Sequence, residues 1–214
     1  MNIFDINFIA FEWLGYSMSW LELLGTLFGF WAVWLSGREK ISSWLIGIVN
    51  VILFLILFYQ MQLYSDMILQ IFFFVTNIYG YITWSKKDDL KKYDLPISHI
   101  TNYQSIIYVV ILILGSYFGG KFIAQLPQLL PSIFKLPTAF PFADTFVLIG
   151  SIIAQLLLTR KKIENWLLWI IVDIVACIIY FQKGALLLTI EFFVFIIIAF
   201  IGYLNWSKKI NSIA

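Results

Sequence analysis

Residues 84–87 read WSKK, and the same four letters return at residues 206–209, 122 positions further along the chain. Chance matches of Ile and Leu carry little information in an apolar chain, whereas matches of Trp, Arg, Gln and Gly at one constant offset are informative. The same offset pairs, without gaps, Arg38 with Arg160, Lys40 with Lys162, Trp44 with Trp166, Gln60 with Gln182, Gly80 with Gly202 and Tyr81 with Tyr203. Self-similarity at a fixed distance predicts that one structural unit occurs twice.

The composition indicates an integral membrane protein. Of the 214 residues, 62% are hydrophobic and 12% are charged, with a mean hydropathy of +0.92. Soluble domains carry roughly 25% charged residues. A net charge of +2 gives no electrostatic argument for a nucleic-acid partner. Cys177 is the single cysteine, so neither a disulfide nor a cysteine metal site is predicted, and the acidic start of the chain lacks the basic residues of a signal peptide.

Seven segments are apolar enough to be predicted as transmembrane helices. A helix that crosses the bilayer core needs about 20 residues, within a range of roughly 17–25. The predicted spans are 20–36, 44–60, 66–84, 104–122, 144–159, 165–181 and 185–206. Residues 3–17 mix aromatic with acidic side chains and are too short to cross, which predicts an interfacial helix or tether. The prolines in 125–142 exclude a regular helix throughout and predict an external loop.

The basic residues test this topology. Seven spans place eleven of the 14 Lys and Arg residues on one side of the membrane: Arg38, Lys40, Lys86, Lys87, Lys91, Lys92, Arg160, Lys161, Lys162, Lys208 and Lys209. The other side receives Lys121, Lys135 and Lys183. Because Lys and Arg are concentrated in cytoplasmic loops, the N-terminus is predicted outside and the C-terminus in the cytoplasm.

The repeat and the topology together predict an all-α fold of seven transmembrane helices in a 3+1+3 plan. A single linking helix returns the chain across the membrane, so both three-helix repeats have the same orientation, as in SWEET-like transporters. The predicted regions are an N-terminal interfacial segment 1–19, a first repeat 20–87, a cytoplasmic loop, linking helix and external Pro-rich loop over 88–142, a second repeat 143–209 and a cytoplasmic tail 210–214. A substrate path is expected between the repeats, and a scaffold without transport is the alternative.

The sixth span carries the densest set of polar residues, in the stretch ENWLLWIIVD at 164–173. Helical spacing puts Asn165, Trp166, Trp169 and Asp173 on one face. Asp173 lies near the middle of the span, where a carboxylate must be paired, protonated or in contact with water. A cationic substrate is one partner that fits, and a packing hydrogen bond between helices is the alternative. Glu164 lies at the cytoplasmic edge, where a helix-start charge is the favoured interpretation.

Other spans carry further candidates. Gln70 and Asn77 lie deep in the third span, where a wet cavity or an interhelical hydrogen bond must satisfy them. Single polar groups occur at Asn50, Gln155 and Glu191 in the second, fifth and seventh spans, and Trp34 lies deep in the first. Five tryptophans near span ends are predicted for the interfacial aromatic belt: Trp13, Trp20, Trp44, Trp84 and Trp206.

These side chains predict the chemistry of the solute. An aromatic cage with a carboxylate suits a flat cationic ring through stacking and cation–π attraction. Asn and Gln amides suit sugar hydroxyls or a carboxamide. The residues therefore indicate a flat, hydroxylated solute that is cationic or neutral.

The stretch LYSDMILQIFFFVTNIYGYITWSKK at 63–87, preceded by WLELLGTLFGFWAVWLSGREK at 20–40, resembles the PnuC family of bacterial vitamin transporters. LTRKKIENWLLWIIVD at 158–173 resembles the same family's most recognisable motif, and the likeness covers about residues 20 to 209. It implies nicotinamide riboside as substrate, facilitated diffusion through the bacterial inner membrane, trapping by a cytoplasmic kinase, and a homotrimer. Related members carry thiamine, riboflavin or deoxynucleosides. No cofactor is implied.

Other classes of function fit the sequence less well. An enzyme is not predicted, because the residue types for nucleophilic or metal catalysis are missing and the single histidine, His99, falls in the predicted cytoplasmic loop. The sequence contains no phosphate-binding loop motif of the form GxxxxGK(S/T), so it gives no indication that the chain itself uses ATP. A proton- or sodium-coupled transporter stays open, because Asp173 or Glu191 is of the type that relays protons within membranes.

Overall fold

The structure is a computed structural model that describes residues 3–13, 15–61, 64–86, 95–129 and 139–213. The chain divides into two compact units. We call Met1–Pro96 with Leu204–Ala214 the outer-sequence unit, and Ile97–Tyr203 the central unit. Predictions that concern Lys87, Lys91, Lys92, Lys135, Pro131 or Pro137 lie outside the described residues.

Seven α-helices occur in the described part of the chain. Six predicted spans lie within one of them, and the seventh, 185–206, begins one residue before its helix. They are α1 Trp20–Ser36, α2 Ser42–Gln60, α3 Tyr64–Ser85, α4 Asn102–Leu129, α5 Pro141–Thr159, α6 Glu164–Gln182 and α7 Leu186–Ile213. Five helices are long and apolar enough to cross a membrane, namely α2, α4, α5, α6 and α7, while α1 is apolar but only 17 residues long. The chain is therefore a multi-pass membrane protein.

Helix α4 continues seven residues beyond the predicted fourth span, to Leu129, and contains Pro127. Proline removes one backbone donor and its ring clashes with the carbonyl four residues earlier. Here the helix ends two residues after Pro127, so the disturbance is confined to the last turn. Pro141 opens α5, where proline suits the first turn because its missing N–H would have no helical partner.

The N-terminal segment contains a β-hairpin, so the helical form of the expected interfacial segment is wrong. Strand β1 Ile9–Trp13 pairs antiparallel with β2 Tyr16–Ser19, and Glu12 faces Ser17 across the ladder. Gly15 turns the chain with φ of 80°, a left-handed conformation that glycine adopts without a steric cost. Aromatic and branched residues favour the extended form, since they pack on a pleated surface.

The side chain of Gln60, at the end of α2, holds residues 4–6, which precede the hairpin, by two hydrogen bonds. Its amide oxygen accepts from the backbone N–H of Ile6 at 3.0 Å, and its amide nitrogen donates to the carbonyl of Phe4 at 2.6 Å. Two backbone groups outside regular structure are thereby satisfied.

The two units repeat the same backbone at the offset of 122. Glu39 between α1 and α2 has φ of 55°, and Lys161 between α5 and α6 has φ of 49°. The amide of Lys40 donates to the Leu35 carbonyl at 3.0 Å, and that of Lys162 donates to the Leu157 carbonyl at 2.9 Å. Helices α2 and α6 begin and end at equivalent positions, 42–60 and 164–182. The duplication seen in the sequence is therefore a duplication of helix bounds and turn geometry.

One aromatic contact also occurs in both units. A methyl group added to Gly80 would come within 2.5 Å of the Trp44 ring, and one added to Gly202 within 2.9 Å of the Trp166 ring. Each glycine thus makes room for a tryptophan of the neighbouring helix.

The prediction that Trp44, Trp84 and Trp206 belong to the interfacial belt is wrong, because all three are buried. The rings of Trp44 and Trp84 meet edge to face at 5.0 Å, and Trp84 lies 6.1 Å from Trp206. The indole N–H of Trp206 donates to the Ser36 carbonyl at 3.3 Å. These rings fill the core of the outer-sequence unit at one end of its helices, although the indole N–H of Trp44 has no hydrogen-bond partner in the described residues.

Candidate functional site

Helix α6 presents the predicted polar face to the protein interior. Asn165 and Trp166 have no exposed surface, and Asp173 is 4% exposed. Trp169, between them on the helix, is half-buried. The neighbouring positions Val172 and Ala176 are also buried. The helical spacing that predicted a shared face is confirmed in its geometry, since all of these residues lie on the packed side of one helix.

Asp173 is the charge that most needs explanation. Within the described part of the chain, no hydrogen bond or ion pair joins its carboxylate to another residue. A carboxylate removed from water is costly unless it is protonated or meets a cation. The packing hydrogen bond expected as the alternative does not occur among the described residues. Asp173 is therefore suited to act on a proton or on a cationic solute.

Asn165 and Trp166 have other surroundings. The amide nitrogen of Asn165 donates to the carbonyl of Lys162 at 2.6 Å, which closes the first turn of α6, while its oxygen is buried without a partner in the described part. Trp166 packs against Gly202 of α7, so its ring is held between helices. Of the two predicted aromatic residues on this helix, only Trp169 retains substantial exposed surface.

Two further candidates lie in the same unit as α6. Gln155 is buried in α5, a helix that packs along α6, and Glu191 is half-buried in α7. Helices α6 and α7 are joined by the stacked rings of Tyr180 and Phe192, whose centroids lie 5.2 Å apart. The central unit thus places six of the predicted site residues on three neighbouring helices.

The remaining candidates belong to the outer-sequence unit, and the side-chain amides of two of them already donate to backbone carbonyls. The amide of Asn50 donates across to the Gly25 carbonyl of α1 at 2.7 Å. The amide of Asn77 donates to the Phe73 carbonyl of its own helix at 2.8 Å, and its oxygen lies so close to Gly47 that no Cβ would fit there. Asn50 thus makes an interhelical hydrogen bond of the kind that packs membrane helices, and Asn77 bonds within its own helix while it packs against Gly47. Gln70 is half-buried in α3.

Trp34 is 39% exposed, and the Arg38 guanidinium lies 3.9 Å above its ring centroid. The cation over this ring comes from the protein itself, which is an ordinary arrangement for Arg and Trp. The structure thus places Trp34 near the basic turn between α1 and α2.

Sequence reasoning missed a contact at Glu164. One carboxylate oxygen lies 2.8 Å from Nδ1 of His99, and the other accepts from the backbone N–H of Ile100 at 3.1 Å. Lys162 donates to the Ser98 hydroxyl at 2.8 Å and to the His99 carbonyl at 3.1 Å. The segment 98–100 is thereby fastened to the start of α6. The sequence gives only a weak indication of this contact, namely a single histidine, His99, and an acidic residue, Glu164, at the start of a helix.

A metal centre is not indicated by the described residues, which contain no group of three or more His, Cys, Asp or Glu side chains close enough to hold an ion. The geometry instead offers a buried carboxylate and a half-exposed indole on one helix, beside amide and carboxyl groups on its neighbours. These are groups that bind a solute rather than break its bonds.

Comparison with known proteins agrees with this assignment. The chain is 34% identical over 213 residues to the nicotinamide riboside transporter PnuC of Escherichia coli K12, covering 92% of this chain and 88% of the relative. It is 22% identical over 179 residues to the riboflavin/roseoflavin transporter RibM of Streptomyces davaonensis, covering 84% and 80%. A crystal structure of the vitamin B3 transporter PnuC matches with a TM-score of 0.67 at 24% identity, over 90% of this chain and 83% of that one, which shows the shared fold.

A family model described as nicotinamide mononucleotide transporter matches residues 19–208. This range includes all seven helices except the last residues of α7. The family and these relatives are transporters and not enzymes. The chain therefore belongs to the nicotinamide mononucleotide transporter family, the PnuC family that its sequence resembles.

Proposed function

We propose that this transporter carries nicotinamide riboside across the bacterial inner membrane by facilitated diffusion, and that phosphorylation by a cytoplasmic kinase traps the solute. The main structural support for a cationic substrate is Asp173, a buried carboxylate with no partner among the described residues. Nicotinamide riboside has a pyridinium cation, a carboxamide and a ribose. The named substrate of the relative that shares 34% identity supports the same solute.

Asp173 supplies the charge that complements the pyridinium ring. A carboxylate and a cation within a low-dielectric site attract each other strongly, and each removes the cost of burying the other. Asp173 therefore favours the cationic riboside over a neutral nucleoside of the same shape.

Trp169 supplies a flat surface one turn before Asp173 on the same face of α6. Its half-exposed ring suits stacking with the pyridinium. Trp166, held against Gly202, is proposed to fix the helix so that Asp173 and Trp169 keep their positions. Asn165, Gln155, Glu191 and Gln70 are proposed to meet the carboxamide and the ribose hydroxyls, which are hydrogen-bonding groups that such side chains complement.

The proposed membrane arrangement is seven spans in a 3+1+3 plan, with the N-terminus outside and the C-terminus in the cytoplasm. In this plan the three-helix repeats are parallel and α4 links them. The repeated turns at Glu39 and Lys161 support two copies of one unit, and the charge distribution in the loops supports the orientation.

A homotrimer is proposed on the resemblance to the family. Helix α4 supports this assembly because most of its apolar side chains are exposed within the single chain. Such a helix has surface available for lipid or for neighbouring copies.

The alternatives differ in cargo and in energy source. Thiamine is a second cationic aromatic vitamin that would fit Asp173, and riboflavin or a deoxynucleoside follows. The similarity to a riboflavin/roseoflavin transporter supports keeping flavin as a cargo to test. Proton coupling through Asp173 or Glu191 is the alternative mechanism, since membrane carboxylates relay protons in pumps.

Calorimetric binding to the detergent-purified protein tests the cargo. We expect saturable binding of nicotinamide riboside and none of thiamine. Binding of thiamine alone would assign thiamine as the cargo. Binding of neither ligand would favour a flavin or a nucleoside as the cargo, or a scaffold without transport.

Uptake into vesicles at matched pH, with and without an ionophore, tests the mechanism. Equilibration that persists in the ionophore is expected for facilitated diffusion. Accumulation that the ionophore abolishes would instead establish coupling to an ion gradient.

A further inference from the structure

An open pocket of about 330 Å³ lies in the outer-sequence unit, and none of the residues that line it belongs to α6. Residues 37–40, in the turn between α1 and α2, form one wall. Asn205, Trp206 and Lys209, near the end of α7, form the other. The volume lies at the small end of the range for ligand sites, roughly 300–1,000 Å³.

The charges in this pocket do not balance. Arg38, Lys40 and Lys209 are cationic, and Glu39 is the only acid among the lining residues. Glu39 forms an ion pair with Lys209, and its side chain is only 13% exposed. Arg38 and Lys40 are exposed, and no ion pair joins either of them to an acidic group in the described residues. Two uncompensated cations therefore face the pocket.

The surroundings fix the positions of these groups. The central carbon of the Arg38 guanidinium lies 3.9 Å from the centroid of the Trp34 ring, a cation–π contact that limits the freedom of this side chain. Trp206 is fully buried and is tied to the Ser36 carbonyl, so this wall is rigid. Asn205 adds an amide that donates or accepts hydrogen bonds.

The equivalent turn of the central unit is also basic, with Arg160, Lys161 and Lys162, but its last lysine is engaged in hydrogen bonds. Lys162, which matches Lys40 at the offset of 122, donates to Ser98 and to the His99 carbonyl. Position 161 is Lys where the first copy has Glu39. The first copy therefore differs in two respects: its turn carries an acid, Glu39, which pairs with Lys209, and its Lys40 has no ion pair in the described residues.

We infer that this pocket binds a phosphate group, with Arg38 and Lys40 as the residues that contact its oxygens. A planar guanidinium matches phosphate with two parallel hydrogen bonds, and an ammonium adds a point charge. The pocket is on the face where the basic residues of the loops are concentrated, which is the face predicted to meet anionic lipids of the cytoplasmic leaflet. The phosphate belongs either to a lipid headgroup or to a soluble phosphate ion.

Titration of the detergent-purified full chain with short-chain phosphatidylglycerol tests the inference, with thermal unfolding as the readout. We expect saturable stabilisation that weakens as salt is raised, because exposed charges are screened. In the double variant R38Q and K40Q the apparent Kd should rise about 25-fold, from roughly fivefold for each basic residue near the membrane surface. Both side chains are exposed, so these substitutions leave the helix packing intact.

Arg160→Gln is the matched control, since it removes the same charge from the equivalent turn of the other repeat. It should change the apparent Kd less than twofold. A parallel titration with inorganic phosphate distinguishes the sources: saturation at millimolar phosphate indicates a soluble ion, and binding of phosphatidylglycerol alone indicates a headgroup. An unchanged Kd in the double variant, or an equal loss in the control, would overturn the inference. Because no vitamin is added, failure here leaves the proposed cargo untouched.

Discussion

The two repeats share their framework and differ in their polar side chains. Trp44 with Gly80 and Trp166 with Gly202 make the same contact in the two units. At the positions equivalent to Asn165, Trp169 and Asp173, however, the first repeat has Ser43, Gly47 and Val51. The contacts that hold three helices together occur in both copies, whereas a buried carboxylate on the second helix of the repeat occurs in one. The two copies therefore share a scaffold, while the polar residues on the second helix of the repeat differ between them.

Replacing the asymmetric carboxylate should have the largest effect on binding. Asp173→Asn keeps the shape and removes the charge, so the affinity for nicotinamide riboside should fall by about 2–5 kcal/mol, the cost of losing one partner of a buried charge pair. Affinity for a neutral nucleoside should stay the same. Calorimetry with both ligands measures the difference.

Asp144→Asn is the control for this variant, because Asp144 pairs with Lys183 at 3.2 Å and is partly exposed. It should leave the affinity unchanged. Equal losses for the cationic and neutral ligands in Asp173→Asn would show that the carboxylate is structural.

Alanine at the glycine of the shared Trp–Gly contact should destabilise the protein in both repeats, by different amounts. Gly80→Ala places a methyl group 2.5 Å from the Trp44 ring, and Gly202→Ala places one 2.9 Å from Trp166. Overpacking costs about 1–3 kcal/mol, so both variants should unfold at lower temperature and Gly80→Ala should lose more. Gly184→Ala cannot serve as a control for added volume, because Gly184 has φ of 74°, where any side chain strains the backbone. A loss in only one of the two variants would show that the repeats are not mechanically equivalent.

The half-exposed indole should contribute less than the carboxylate. Trp169→Ala should weaken nicotinamide riboside binding by about 1–2 kcal/mol, within the range measured for stacking on aromatic side chains. Trp34→Ala serves as a comparison in the other unit, where Arg38 already covers the ring, and should leave binding unchanged. Unchanged affinity in Trp169→Ala would assign that ring to lipid or packing.

The smallest effect is expected at the contact that only the second repeat makes. Glu164→Gln removes the charge that faces His99, while the amide oxygen still accepts from Ile100. Because the His99 side chain is 65% exposed, the stability lost should be only about 0.5 kcal/mol. Hydrogen exchange at the Ile100 amide should rise slightly, and exchange in the rest of α6 should not. A large fall in melting temperature would contradict this.

The helices could be predicted from the sequence because each is a continuous apolar segment between charged or turn residues. The face of α6 was also predictable, since its spacing is a property of one helix. The burial of Trp44, Trp84 and Trp206 was not, because a tryptophan near a span end suits both the headgroup layer and a core with an N–H partner. The space that accepts Trp44 is created by Gly80, 36 positions away in the sequence numbering.

The same limit applies to the site. Asn50 and Asn77 have the composition expected of solute-binding amides, and only their distances to the Gly25 and Phe73 carbonyls show that backbone already occupies them. The N-terminal hairpin was missed because five- and four-residue strands are too short for their alternation to be distinguished from an interfacial segment. In each case the outcome depends on a specific contact, near or distant in the chain, that residue type and spacing leave open.

The left-handed turns bear on the history of the chain. A residue with a side chain costs more at positive φ than glycine does, yet Glu39 and Lys161 occupy this conformation in the two copies. Glycine at either position would relieve the strain and would need only ordinary substitutions to arise. The two copies retain the costly backbone and have acquired opposite charges on it, so the shape of the turn was inherited from the ancestor of both halves while its charge was free to diverge.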